Sequence, residues 1–135
     1  MKSIPKKYHD LLADETKAYL FLATIMADGT PQVTPVWFST EENYILINTN
    51  TGRVKDRNMQ ARPHVAMVIQ DPNTPYRYMQ IRGKVAERTT EGAVAHIHAL
   101  SQKYMGKDWD ILAGEERVIY KISADKIDAH LNING

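Results

Sequence analysis

The sequence predicts a mainly β protein: a small antiparallel barrel of six or seven strands that carries two or three short helices. Short apolar runs recur along the chain with turn residues between them, and the Asp28-Gly29 pair marks a tight hairpin between two of the runs. Most connections between the runs are too short to hold the crossover helix that a parallel pair requires. Hairpin connections therefore favour an antiparallel sheet.

The composition indicates one ordinary globular domain over residues 1–135. Hydrophobic residues make up 43% and charged residues 24%, which suits a chain with a buried core. The net charge of +1 gives no overall field that would attract nucleic acid or a membrane surface, so neither is expected as a partner. Because there is no cysteine, disulfides, thiolate catalysis and cysteine-ligated metals are excluded.

No segment predicts a membrane span or a secretion signal. The longest apolar segment, residues 19–27, is less than half of the roughly 20 residues that a membrane helix needs. Residues 1–7 have no apolar run behind them, unlike a signal peptide. A cytoplasmic location is therefore expected.

The first half of the chain predicts one short helix and three strands. Pro5 suits the first turn of the helix. Strands are expected at residues 19–26, 32–39 and 44–49. Their order along the chain predicts an antiparallel meander. Pro35 has no N–H to donate, so its strand should be an edge strand or should face something other than a neighbouring strand.

The second half predicts two helices and four strands. One helical segment is expected at residues 53–60, and a second at residues 91–104, capped by Thr89 or Thr90. Strands are expected at residues 64–70, 76–88, 116–123 and 127–131. Gly83 indicates a bulge, or a close approach of two backbones, within the second of these strands.

A candidate anion site follows the third predicted strand, in residues 48–58. Two hydroxyls and a glycine come before three cations at alternate positions: Thr49, Thr51, Gly52, Arg53, Lys55 and Arg57. Hydroxyls and free backbone N–H groups where a strand leads into a helix, with Arg and Lys beside them, suit a phosphate. Taken alone, however, the stretch favours a solvated basic turn, because charge runs usually stay in water.

No motif supplies catalytic side chains of its own. The histidines form no His-Glu-x-x-His zinc motif, and there is neither a Gly-x-Ser-x-Gly nucleophile turn nor a Gly-rich nucleotide loop. The carboxylate pairs Glu41-Glu42 and Glu115-Glu116 fall in predicted turns or at strand starts, where solvated positions are expected. A chain without such groups can still be an enzyme when a bound cofactor carries the reaction.

Four blocks of residues, in this order, carry a resemblance to a known family. They are Asp28-Gly29-x-Pro31-x-Val33-x-Pro35-Val36-Trp37-Phe38, Asn48-Thr49-x-x-Gly52-Arg53-x-Lys55-x-Arg57-Asn58, Pro63-x-Val65-Ala66 and Gln80-Ile81-x-Gly83-Lys84-Val85. The pattern resembles the pyridoxamine 5′-phosphate oxidase-like, FMN-binding split barrels, and within them the short branch of FMN- or deazaflavin (coenzyme F-420)-dependent oxidoreductases. The resemblance implies a six- to seven-stranded antiparallel split barrel and a homodimer with two flavin sites at its interface.

The resemblance also implies roles for individual residues. The phosphate of the cofactor would be gripped by Arg53 and Lys55, with support from Arg57. Polar groups at the ribityl and phosphate end would be Asn48, Thr49 and Thr51. The strand along the isoalloxazine ring would supply Thr34, Pro35, Val36 and Trp37, with Gln80 near the ring and Tyr78 or Trp109 reaching the neighbouring site. No residue is implied as a catalytic group or a metal ligand.

The cofactor and the substrate stay open. FMN and the deazaflavin share a phosphate and a tricyclic ring, but the deazaflavin adds an acidic oligoglutamyl tail, for which Arg57, Arg62 and Lys107 are candidate partners. The C-terminal tail, residues 129–135, lacks the Arg/His pair that pyridoxamine phosphate oxidases use on their substrate, which argues against oxidation of vitamin B6.

The resulting hypothesis is a flavin- or deazaflavin-dependent oxidoreductase that passes a hydride to or from a small, planar substrate. A non-catalytic FMN-binding carrier or sensor is the alternative, and measured turnover separates the two. A third hypothesis, a nucleic-acid-binding barrel that contacts phosphates through Arg53, Lys55 and Arg57, is disfavoured because no stacking aromatics interleave with these cations.

Overall fold

Seven strands and two α-helices make up the part of the chain that the structure, a computed structural model, describes: residues 3–131, with side chains for residues 3–129. The strands are β1 (Tyr19–Ile25), β2 (Pro31–Val36), β3 (Phe38–Glu41), β4 (Tyr44–Asn50), β5 (His64–Gln70), β6 (Arg77–Thr89) and β7 (Arg117–Leu131). The helices are α1 (Val54–Ala61) and α2 (Ala93–Met105), and two short 3₁₀ segments precede β1, Lys6–Leu12 and Asp14–Thr16. The prediction of a mainly β fold with six or seven strands and short helices is confirmed.

All seven strands form one antiparallel sheet with the order β2-β1-β5-β6-β7-β4-β3. The two edge strands are consecutive in the chain, since β2 ends at Val36 and β3 begins at Phe38. In a flat sheet these edges, six strand spacings apart, would be separated by about 29 Å, whereas two residues span at most about 7 Å. The sheet must therefore curl until its edges meet near Trp37, which is the geometry of a split barrel.

Two predictions about the strands were wrong. Residues 32–39 form two strands, because the chain crosses at Trp37 from one edge of the sheet to the other. As a result the two hairpins of the predicted meander, β1–β2 and β3–β4, both form but lie at opposite edges of the sheet, and β4 pairs with β7 on its other side. Residues 116–123 and 127–131 were expected as two strands, but β7 runs through the polar residues between them because β6 pairs along its length. Pro35 lies on an edge strand, as predicted.

Gly83 permits a close approach between β6 and β7. The register of these strands shifts between Arg82 and Gly83, so the predicted irregularity is confirmed. A Cβ atom at Gly83 would lie 1.9 Å from the backbone oxygen of Ser123, far inside van der Waals contact. Only a residue without a side chain fits this crossing.

The concave side of the curled sheet holds the hydrophobic core. Its largest fully buried side chains include Leu20, Leu22, Phe38, Ile45, Ile47, Met67, Ile69, Met79 and Tyr120. The N-terminal 3₁₀ segment adds Tyr8 and Leu11, and α1 adds Met59. Burial of each such side chain contributes about 1.5–3 kcal/mol, so the core is the main source of stability.

The convex side of the sheet is covered unevenly. At the β4–β7 end, α2 packs against it, where Ala93 meets Leu46 and Ile119 in a second buried cluster. At the other end, paired residues of β2, β1 and β5 form a surface that we call the outer apolar face: Phe21, Ala23, Val33, Ala66 and Val68. The Val33 side chain in its middle is 65% exposed.

The start of α2 differs from the prediction. Gly92 occupies the N-cap position in a left-handed conformation (φ 75°), and no side chain caps the helix. The hydroxyl of Thr89 instead accepts the backbone N–H of Glu91 at 3.1 Å, one turn before the helix begins. No helix within residues 3–131 is both long and apolar enough to cross a bilayer.

Candidate functional site

A cleft of about 350 Å³ lies where β4, α2, the first turn of α1 and the crossing at residues 35–37 come together. It is lined by Tyr19, Pro35, Val36, Trp37, Asn48, Thr49, Asn50, Arg53, Lys55, Ile97, Leu100, Trp109 and Arg117. The volume falls in the lower part of the range of about 300–1,000 Å³ for small-molecule sites. The lining includes cations at the start of α1, which we call the cationic end, and aromatic side chains around Trp37, which we call the aromatic end.

The cationic end is built at the start of α1. Arg53 is the N-cap residue and Lys55 lies in the first turn, so both stand beside the free N–H groups of the helix. Burial lowers the pKa of Lys55, and repulsion from Arg53 and Arg117 lowers it further. Three cations held this close without an equal number of carboxylates favour an anion in the cleft.

A buried carboxylate, that of Asp56, holds the loop before α1 in place. Asp56 is 1% exposed, and its Oδ2 accepts the backbone N–H of Gly52 at 2.9 Å. The Tyr120 hydroxyl and the Arg88 guanidinium, at 3.0 Å, also donate to Asp56. Burial acts to raise the pKa of Asp56, but the hydrogen bonds from Arg88, Gly52 and Tyr120 outweigh it and lower the pKa. The carboxylate is therefore ionised and anchors the loop.

The aromatic end centres on Trp37. Its ring stacks on Tyr104 with centroids 5.3 Å apart and planes at 8°, and it meets Trp109 edge-on at 5.8 Å and 89°. The Trp109 indole N–H donates to Glu115 at 2.9 Å, and its backbone N–H donates to His98 Nδ1 at 3.2 Å. These contacts hold both indoles in place before any ligand arrives.

The cleft brings together most of the site residues that the sequence predicted: Pro35, Val36, Trp37, Asn48, Thr49, Arg53 and Lys55. Four others lie outside it, namely Thr34, Thr51, Arg57 and Gln80. Thr34 pairs with buried Leu22, and the Thr51 hydroxyl donates to Glu116 at 3.1 Å.

The positions of Arg57 and Gln80 have different causes. Arg57 lies on the exposed side of α1. Gln80 is exposed on β6, where it pairs with Val68 of the outer apolar face, and it does not line the cleft.

Several residues outside that set differ from their sequence-based interpretation. Arg62 is committed to structure, because its Nε donates to the Ile25 carbonyl at 2.6 Å and its Nη2 to Asn58 at 3.2 Å. Glu115 is not solvated, since its side chain is only 8% exposed and pairs with Arg117. Lys107 is exposed and lines a separate cavity of about 300 Å³ beside Trp109.

The C-terminal tail, which lacks an Arg/His pair in the sequence, includes residues 132–135, and these lie outside the described residues. Within the described residues, no group of three or more His, Asp or Glu side chains is placed to hold a metal ion.

Sequence reasoning missed Asn50 and Arg117, which complete the polar wall of the cleft. The two residues are directly paired between β4 and β7. The only local signal for Arg117 was the alternation of polar and apolar residues at the start of β7. In that pattern Arg117 faces outward and Val118, the next residue, is buried. Nothing in that pattern connects Arg117 with residues about 69 positions earlier in the chain.

A polar network behind the cleft links β3, β4 and α2. His96 shares hydrogen bonds with the Ser39 hydroxyl at 2.9 Å and with the Asn48 amide at 3.1 Å. Because the Asn48 N–H donates to Nδ1, the ring is neutral with its proton on Nε2, directed at Ser39. Burial lowers the pKa of His96 to about 4.

Comparison with known proteins agrees with this fold. A family model described as pyridoxamine 5′-phosphate oxidase matches residues 4–130. The chain therefore belongs to the pyridoxamine 5′-phosphate oxidase family. Among curated proteins, none matches the sequence significantly.

Solved structures share the split-barrel fold. A structure described as an F420 reductase is 33% identical, with a TM-score of 0.81 over 93% of this chain and 98% of that one. A conserved protein of Mycobacterium tuberculosis is 20% identical, with a TM-score of 0.68 over 98% and 93% of the two chains. HupZ of Group A Streptococcus is 19% identical, with a TM-score of 0.66 over 96% and 95%. The last two show the likeness of fold alone.

Proposed function

We propose that this protein is an oxidoreductase that binds FMN or the deazaflavin coenzyme F-420 in the cleft and transfers a hydride between the cofactor ring and a small substrate. One observation carries the proposal: a single cleft joins a cationic end at the start of α1 to an aromatic end at Trp37. A flavin nucleotide has the same two ends, a phosphate and a flat apolar ring.

The residues of the cleft fit such a cofactor. Arg53 and Lys55 offer charge-assisted donors to a phosphate, and the helix dipole adds to their attraction. Thr49 also lines the cleft. Pro35, Val36 and Trp37 present an apolar wall interrupted by backbone groups, which can pack along a ring and bond its edge.

The side chains of the cleft are suited to position a cofactor and to shield it from water. When bound, the cofactor supplies the hydride chemistry. The lining contains neither a carboxylate nor a histidine, so this chain contributes orientation through its cations and exclusion of water through Trp37 and Trp109. Because neither a carboxylate nor a histidine lines the cleft, a non-catalytic FMN-binding carrier or sensor is kept as the alternative.

The likeness to an F420 reductase at 33% identity supports the deazaflavin, while the family match supports FMN equally. Of the cations considered for the acidic tail of the deazaflavin, Arg57 and Lys107 remain exposed and accessible, whereas Arg62 is held within the fold.

We also propose that two protomers pair through the outer apolar face. An apolar sheet surface with Val33 65% exposed is unfavourable in water, and burying it against a second copy removes that cost. Gln80 lies next to this face through its pairing with Val68. In such a dimer it would face the cleft of the partner, which accounts for its distance from its own.

Titration of the apo-protein with FMN and with F-420, followed by fluorescence, tests the proposal. Binding of at least one cofactor is expected, and absence of both would overturn it. Reduction of the bound cofactor followed by oxidant-linked turnover then separates an oxidoreductase from a carrier or sensor.

A further inference from the structure

Asn48 lines the cleft, but its amide is already engaged within the protein. Its Nδ2 donates to the Ala93 carbonyl at 2.9 Å and to His96 Nδ1 at 3.1 Å, and its Oδ1 accepts from Arg117 Nε at 2.8 Å. Both amide protons are therefore used. The Ala93 carbonyl can only accept and the Arg117 guanidinium can only donate, so the orientation of the amide is fixed.

Arg117 contacts three groups of the protein and still has N–H donors that a ligand could use. Besides the bond to Asn48, its Nη1 lies 3.3 Å from Glu115, and its guanidinium lies 5.5 Å from the centre of the Trp109 ring. Glu115 also accepts a hydrogen bond from the Trp109 indole N–H, so the two side chains that hold Arg117 in place are bonded to each other. Among the described residues, no hydrogen bond from Arg117 Nη2 is formed, although the side chain is only 10% exposed and lines the cleft.

The charges around this arginine do not balance. Arg53, Lys55 and Arg117 bring three positive charges to the cleft, and Glu115 is the carboxylate paired with them, which leaves a net charge of +2. Burial lowers the pKa of Arg117, and repulsion from Arg53 lowers it further although Glu115 opposes the change. A doubly charged anion would neutralise this group, and a phosphate monoester carries about two charges at neutral pH.

We infer that Arg117 is a third binding residue for the phosphate of the ligand, and that Asn48 is a positioning residue that orients Arg117 rather than a ligand contact. The inference rests on the proposed function for the identity of the cofactor, but the recognised chemistry is the phosphate dianion itself. Asn48 was expected from the sequence to contact the cofactor directly, whereas in this role it acts on the ligand through Arg117.

Affinity for FMN, compared with riboflavin, tests the role of Arg117. The Arg117→Gln variant is expected to bind FMN about ten- to a hundredfold more weakly, because a charge-assisted hydrogen bond is lost. Riboflavin has no phosphate, so its affinity should stay within about twofold, whereas general damage to the cleft would weaken both ligands. Arg117→Lys should recover part of the loss. Lys6→Gln, which removes an exposed cation elsewhere, should change neither affinity.

A double-mutant cycle tests the role of Asn48. Asn48→Leu alone should weaken FMN binding, but it should add nothing further in the Arg117→Gln background, because its effect passes through Arg117. Additive losses would show that Asn48 contacts the ligand directly and would overturn the positioning role. Unchanged FMN affinity in Arg117→Gln would overturn the whole inference.

Inorganic phosphate provides a test that does not depend on the cofactor. Phosphate should quench or shift the fluorescence of the parent protein, because Trp109 lies against Arg117, and this response should disappear in Arg117→Gln. If the parent binds phosphate but neither FMN nor F-420, the proposed function fails and the inference stands. If Arg53→Ala abolishes FMN binding while Arg117→Gln does not, the inference fails and the proposed function stands.

Discussion

The carboxylate of Asp56 accepts the backbone N–H of Gly52 at 2.9 Å, across the turn that leads from β4 into α1. Gly52 has φ +91°, a conformation that favours glycine, and the turn would lose its shape if this hydrogen bond were absent. Because Arg53 follows directly, the same bond sets where the first cation of the cleft stands. The proposed phosphate site thus depends on Asp56, a residue that does not line the cleft.

Replacement of Asp56 should weaken binding of the phosphate specifically. In Asp56→Asn the charge is lost and Arg88 is left without its ionic partner, so the free energy of unfolding should fall by about 3 kcal/mol. Affinity for FMN should fall about tenfold while affinity for riboflavin is retained. Asp71→Asn removes a comparable partner from Arg77 at a distant turn and should leave both affinities unchanged. Equal weakening of both ligands by Asp56→Asn would contradict this account.

The crossing of β6 and β7 should not tolerate a side chain at Gly83. Gly83→Ala places a methyl group 1.9 Å from the Ser123 carbonyl oxygen, and the overlap should cost at least about 3 kcal/mol of unfolding free energy. Gly29→Ala is the control, because it has open space around it but a positive φ of +86°, and should cost about 1 kcal/mol. Chemical denaturation measures both. Similar losses in the two variants would show that β7 can move aside.

The sequence-based predictions succeeded where the signal was local. Apolar runs located the strands, and the cations Arg53 and Lys55, which are two residues apart in the sequence, both line the cleft. The end of β2 and the start of β3 at Trp37 were missed because the alternation of side chains continues through Trp37. The break between the two strands depends on how the curled sheet closes. Arg117 was missed for a related reason: its partner Asn48 is 69 positions away, and only the β4–β7 pairing joins them.

Acid should destabilise the fold through His96. Its pKa lies near 4 in the folded protein against 6.5 for a free histidine; burial is the main cause, with Arg117 adding to the shift and Glu41 opposing it. Protonation therefore favours the unfolded chain, and the stability present above pH 6.5 is lost as the pH falls toward 4. Between pH 6.5 and 4.5 the loss should reach up to about 2 kcal/mol.

Denaturant unfolding at a series of pH values measures this loss, with His96→Gln as the comparison because it cannot titrate. The parent should lose stability across this interval, whereas the variant should show a flatter profile. The lowered pKa values of carboxylates such as Asp56 and Asp10 act at lower pH, below their ordinary value of 3.8. Parallel profiles for parent and variant would exclude His96 as the source.

A charge on the outer apolar face should prevent pairing of protomers. In Val33→Glu, dimer formation would bury an unpaired carboxylate, so the association constant should fall at least about a hundredfold. Leu112→Glu introduces the same charge at a side chain that is 69% exposed on a different surface, and it should have no effect. Sedimentation velocity reports the mass of each protein. A monomeric parent, or a Val33→Glu variant that remains dimeric, would contradict this assignment of the interface.

The most direct test of the account is the affinity of the Arg53→Ala, Lys55→Ala double variant for FMN and F-420. Loss of two charge-assisted contacts should weaken binding of whichever cofactor the parent takes by at least about a hundredfold, while the unfolding transition stays close to that of the parent. A second double variant, Lys6→Ala with Lys17→Ala, changes the net charge equally at exposed positions and should bind as the parent does. Retention of parental affinity in the Arg53, Lys55 variant would show that the start of α1 does not hold the phosphate.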